Sequence, residues 1–124
     1  MKAKFVNEYV VLPPKSKEDI MRDLRTLSKG ELDKQLIKAS EKGLTNIVKW
    51  IIDAGADVNT QNQIWWTALM YASFNGHKDV VKLLLDNGAD VDAKDTDGWT
   101  ALMYASTNGY EDIVDLLKKH GAKR

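Results

Sequence analysis

A chain of 124 residues suits one compact domain, and 44% apolar with 29% charged residues is an ordinary globular mixture. Lys+Arg and Asp+Glu both number 18, an even balance that disfavours nucleic acid or an anionic membrane as a partner. Cysteine is absent, which excludes a disulfide framework and thiolate metal sites and fits a cytoplasmic location.

In chain order, Lys4 to Leu12 comes first and reads as extended, because Phe5, Val6, Tyr9, Val10, Val11 and Leu12 are β-prone. Asn7 and Glu8 interrupt it, so it is a poor secretory leader. Pro13-Pro14 breaks the segment, and Ser16-Lys17-Glu18-Asp19 opens a helix with Ser16 as N-cap. Ile20, Leu24 and Leu27 recur at i, i+4 and i+7, which predicts an amphipathic helix of about three turns. No apolar run approaches the roughly 20 residues that span a bilayer.

Beyond about residue 32 the chain repeats with a period of 33. Thr67–Asp90 laid over Thr100–Lys123 matches at 15 of 24 positions, and TALMYAS recurs verbatim at Thr67–Ser73 and Thr100–Ser106. A diverged earlier copy aligns Leu36 with Leu69 and Leu102, and Gly43 with Gly76 and Gly109. Each unit reads as two short helices. Thr67 or Thr100 caps the first, and Gly76 or Gly109 ends it. The second carries Val80, Val81, Leu83 and Leu84, or Ile113, Val114, Leu116 and Leu117, and stops at Gly88 or Gly121. One such pair cannot bury its apolar face alone, whereas stacked pairs can.

The columns G-A-D-V-(N/D), D-G-x-T-x-L and A-S-x-N-G-(H/Y) at this period resemble ankyrin repeats, over about Leu32 to Ala122. The resemblance implies an all-α solenoid of stacked helix-turn-helix units, with turns projecting as fingers and a concave face that binds proteins. Residues 1–31 then form an extended segment and a helix capping the open end of the array. Residues 32–124 hold repeats at about 34–66, 67–99 and 100–124. The family's T-P-L-H becomes Thr67-Ala68-Leu69-Met70 and Thr100-Ala101-Leu102-Met103, so Pro no longer preorganises the first turn. Lys118 replaces the apolar Ile52 and Leu85 of the preceding copies, as a terminal cap requires.

No catalytic constellation emerges, and neither an enzyme nor a cofactor is expected. His77 and His120 sit at helix ends, where the repeat and the helix dipole account for them. Asp90, Asp92, Asp95 and Asp97 alternate as calcium ligands do, but lack the Glu that closes such a loop.

One place breaks the period. Where the third repeat's finger has Asp97-Gly98, the second has Ile64-Trp65. Glycine supplies a left-handed turn conformation freely, and Trp there costs about 1 kcal/mol or more. A broken local rule calls for a gain elsewhere. The expected binding patch is Ile64, Trp65, Trp66, Phe74 and Trp99, rimmed by Gln63 and Asp97, with Met70 and Met103 on the first helices. Its occupant is another protein or a second copy of the chain. So local a swap is also what engineering of an ankyrin scaffold would leave.

Overall fold

The computed structural model describes residues 15–123. The extended segment expected at Lys4 to Leu12 lies outside the described residues. The described residues form helices and turns, with no strand beyond an isolated bridge between Gln61 and Thr67.

Helix α1 spans Lys17–Arg25, and the Ser16 hydroxyl accepts the Asp19 amide at 3.1 Å. Met21 and Leu24 are buried, and Ile20 and Leu27 pack half-buried against the same core. The apolar stripe is therefore one column wider than the sequence spacing showed. Helix α2 spans Lys29–Lys42, so it runs across the expected boundary at residues 31 and 32. The cause is a capping box. The Ser28 hydroxyl accepts the Glu31 amide at 3.2 Å, and the Glu31 carboxylate accepts the Ser28 amide at 2.9 Å. These bonds start the helix early, and Leu32 in the added turn is buried.

Three first helices stack in sequence: α2, α4 (Ala68–Phe74) and α6 (Ala101–Thr107). Ala39, Ser40, Ala72, Ser73 and Ala105 are buried there, and small side chains let these helices approach closely. The second helices α3 (Thr45–Asp53), α5 (Lys78–Asp86) and α7 (Glu111–Lys119) form a second layer. Helix α1 contacts α3, so it extends that outer layer by one helix.

Side chains also lock one repeat to the next. The Asn59 amide donates to the Gly88 carbonyl, and its oxygen accepts the Asp90 amide at 2.6 Å. One layer earlier, the first turns of α2 make the same two links: Lys29 donates to the Gly55 carbonyl, and Asp33 accepts the Asp57 amide at 2.7 Å. The helical extension thus replaces the loop that other repeats place there. His77 seats its ring against Gly43, which holds φ 75, and bonds the Glu41 carbonyl at 2.9 Å. The Tyr110 ring covers Gly76 in the same way.

Candidate functional site

Two fingers project in front of α4 and α6, and their backbones follow one plan. In the first, the Asn62 amide donates to the Trp66 carbonyl at 3.0 Å, and the Trp65 amide to the Asn62 carbonyl at 2.9 Å. In the second, Asp95 bonds Trp99 at 3.0 Å and Gly98 bonds Asp95 at 3.0 Å. The Asn62 side-chain oxygen accepts the amides of Ile64 and Trp66, as the Asp95 carboxylate accepts those of Asp97 and Trp99. Ile64-Trp65 therefore leaves the turn unaltered. Trp65 has φ 64 where Gly98 has φ 80, and no other described non-glycine residue has a positive φ.

That conformation costs Trp65 roughly 1–2 kcal/mol, and packing within the chain does little to offset it. Trp65 stays 57% exposed and Ile64 49%. The two fingers are joined edge to edge. The Thr96 amide donates to the Ile64 carbonyl at 3.3 Å, and the Gln61 side chain bridges the Trp65 and Lys94 carbonyls. Gln63 and Asp97 are exposed beside the tips.

Behind the tips runs an aromatic ladder. Trp66 lies between Tyr71 at 4.6 Å and Tyr104 at 4.5 Å, with Phe74 at 5.7 Å. Trp99 packs on Tyr104 at 5.0 Å. Trp66 is half-buried and largely structural, whereas Phe74 and Trp99 keep 40% and 36% of their surface open. The structure thus groups Trp66, Phe74 and Trp99 around two tyrosines, with Ile64 and Trp65 on the adjoining tip.

The expected role of Met70 needs correction. It is 1% exposed, because the next repeat closes over it, and it offers no surface to a partner. Met103, at the equivalent place in the last repeat, is half-buried in a recess lined by Trp99, Leu102, Val114 and Lys118.

Asp95 anchors the second finger. Burial pushes its carboxyl up, but donation from the Tyr104 hydroxyl, the Trp99 and Asp97 amides and Trp66 outweighs it and leaves the pKa lowered. The Tyr104 hydroxyl is pushed up, by burial first and then by its bond to Asp95. In the first finger the Asn62 amide meets the Tyr71 hydroxyl at 2.9 Å. Sequence reasoning overlooked this Asx–Tyr pairing, although Asn or Asp nine positions before Tyr recurs in both copies. Asp90 and Asp92 likewise accept backbone amides, from Asp92 and Lys123.

A groove of about 760 Å³ flanks the first finger on its other side, between α2 and Thr60–Ile64. It exists because α2 begins where a preceding finger would stand.

The family model for ankyrin repeats, in three copies, matches residues 36–123. The chain belongs to the ankyrin-repeat family. No individual curated protein matches it. Ankyrin repeats are generally protein–protein interaction modules and typically not enzymes. In ankyrin terms, the match leaves out α1 and the first turns of α2. No helix among the described residues is long and apolar enough to cross a membrane.

Proposed function

We propose that this ankyrin array binds a protein partner in the cytoplasm through Ile64, Trp65, Phe74 and Trp99, with Trp66 as their backing and Gln63, Asp97 and Met103 at the edge. The observation that carries this reading is Trp65. It holds a left-handed backbone at φ 64 and leaves its indole 57% exposed. Burying such a side chain against a partner contributes roughly 1.5–3 kcal/mol, enough to offset the strain. Exposed aromatics with a polar rim are the usual anatomy of a binding hot spot. An even charge count favours a protein over nucleic acid or an anionic membrane.

A second copy of the chain is the alternative partner. With formal net charge +0, little long-range repulsion opposes a two-fold dimer through the same tip. The confinement of the swap to one finger also fits a redesigned scaffold.

The test is the double reversion Ile64→Asp with Trp65→Gly, which gives the first finger the turn residues of the second. Helicity should stay constant and stability should rise by about 1 kcal/mol in denaturant titration. Association should disappear. A native chain that scatters light as a dimer, and a reverted chain that scatters as a monomer, identify self-association. A monomer in both cases leaves a different protein as partner. Undiminished partner binding or dimer mass after the reversion would remove the tip from the interface.

A further inference from the structure

Asn-Gly occurs three times, at Asn75-Gly76, Asn87-Gly88 and Asn108-Gly109. Each asparagine closes a helix, α4, α5 or α6, and each glycine holds a left-handed φ, of 76, 91 or 79. All three asparagines are exposed. A glycine that follows asparagine presents an unhindered nitrogen, because it has no Cβ. That nitrogen can attack the asparagine Cγ. A ring C–N bond forms, the Cγ–Nδ2 bond breaks, and ammonia leaves with the proton of the glycine amide. Water then opens the succinimide ring at either carbonyl, giving aspartate or isoaspartate.

The native caps oppose ring closure. Asparagine ψ is 4, 17 and 0, which turns the glycine nitrogen away from the side chain. The reaction therefore waits on local opening, and the cap that opens most easily reacts first. Each asparagine side chain donates one bond, to the Tyr71, Leu83 and Phe74 carbonyls at 3.0, 2.8 and 2.8 Å. The surroundings of the glycines decide between them. Gly76 lies under the Tyr110 ring, 2.7 Å from where a Cβ would stand. Its amide has no acceptor among the described residues, which frees the nitrogen, but the peptide cannot swing without displacing that ring. Gly88 is uncovered, yet Asn59 holds it on both sides. The Asn59 side chain donates to the Gly88 carbonyl at 3.2 Å and accepts the Asp90 amide at 2.6 Å. Gly109 has neither restraint. Beyond its chain neighbours, no described atom comes within 4 Å of a Cβ there, and its amide makes only a 3.2 Å bond to the Ser106 carbonyl.

We propose that Asn108 is a spontaneous modification site, closing on Gly109 and hydrolysing to aspartate and isoaspartate ahead of Asn75 and Asn87. The position gives the change a structural consequence. Of the three side-chain bonds, only the one from Asn108 crosses to another repeat. Conversion removes that donor and sets a carboxylate against the Phe74 carbonyl. It also places negative charge at the C-terminus of α6, where the helix dipole disfavours it. The link between α4 and α6 weakens, and the new charge stands beside the exposed Phe74. This inference is independent of the partner-binding reading.

The experiment holds the full chain at mildly alkaline pH in heavy-oxygen water, folded and, in parallel, unfolded in urea. Peptide mass spectrometry then follows heavy oxygen at each asparagine. In the unfolded chain the three sites should convert at similar rates. In the folded chain Asn108 should convert about tenfold faster than Asn75 or Asn87, the population gained where one net hydrogen bond or its packing equivalent is missing. Chains converted at Asn108 should unfold at lower urea than fresh chains. Tyr110→Ala uncovers Gly76 and should bring the Asn75 rate up toward that of Asn108. Conversion of Asn75 or Asn87 first, or a folded Asn108 as slow as they are, overturns the inference. So does an Asn75 rate that Tyr110→Ala leaves unmoved. The ranking in the native chain keeps the result decisive even if the variant folds poorly.

Discussion

Asn62 and Asp95 hold equivalent fingers with different chemistry. Each side-chain oxygen gathers two backbone amides, but Asn62 then donates to Tyr71 whereas Asp95 accepts from Tyr104. The difference should appear in acid. The folded Asp95 carboxyl lies below its ordinary value of 3.8. Its charged form therefore stabilises the fold above the unfolded pKa, and that stabilisation fades as pH falls through the folded pKa. Asp95→Asn should cost about 1 kcal/mol at neutral pH, through weaker bonds to the amides and to Tyr104. It should also flatten the stability profile below about pH 4. Urea titrations at neutral and acid pH measure both effects. The presence of Asn62 at the twin position indicates that the finger accommodates the amide. At this scale the sequence already exposed the Trp65 anomaly, since a glycine column filled by Trp is visible without coordinates. The matching columns of Trp66 and Trp99 also allowed a structural role against Tyr71 and Tyr104, and stacking decided that both tyrosines wall in Trp66, because Tyr104 arrives from the next repeat.

At the scale of elements, the glycines ending the first helices look alike in sequence and differ in surroundings. Gly76 and Gly109 hold φ 76 and φ 79, so a side chain at either costs about 1 kcal/mol of backbone strain. A Cβ at Gly76 would also stand 2.7 Å from the Tyr110 ring, whereas none of the neighbouring atoms comes within 4 Å at Gly109. Gly76→Ala should therefore destabilise by about 1 kcal/mol more than Gly109→Ala, as thermal or denaturant unfolding can measure. The helix pairs were legible from the caps, the glycines and the apolar columns. The early start of α2 was not, because the expected boundary followed the repeat period. The Ser28–Glu31 box overrode it locally by satisfying two of the helix's free amides.

At the scale of the molecule, stacking decides which columns are core. Met70 and Met103 are the same residue in the same heptapeptide, yet one is covered by the following repeat and the other faces the end of the described array. Met70→Ala should cost about 2–5 kcal/mol, as deletions in filled cores do. Met103→Ala should cost only about 1 kcal/mol. Chemical denaturation of the two variants checks the contrast, and equal losses would contradict the layering. The same logic explains the groove: a repeat whose helix starts early leaves one flank of the next finger uncovered by the described residues.

The repeat period, the helix pairs, the family and the odd Ile64-Trp65 pair follow from the sequence alone, because each is written in residue identity at fixed spacing. Burial of Met70, the walling-in of Trp66, the groove beside Gln63 and the division of labour between Asn62 and Asp95 were settled only by tertiary structure. Those properties depend on which layer lies next to which, and equal residues in a linear period have unequal neighbours once the array has ends.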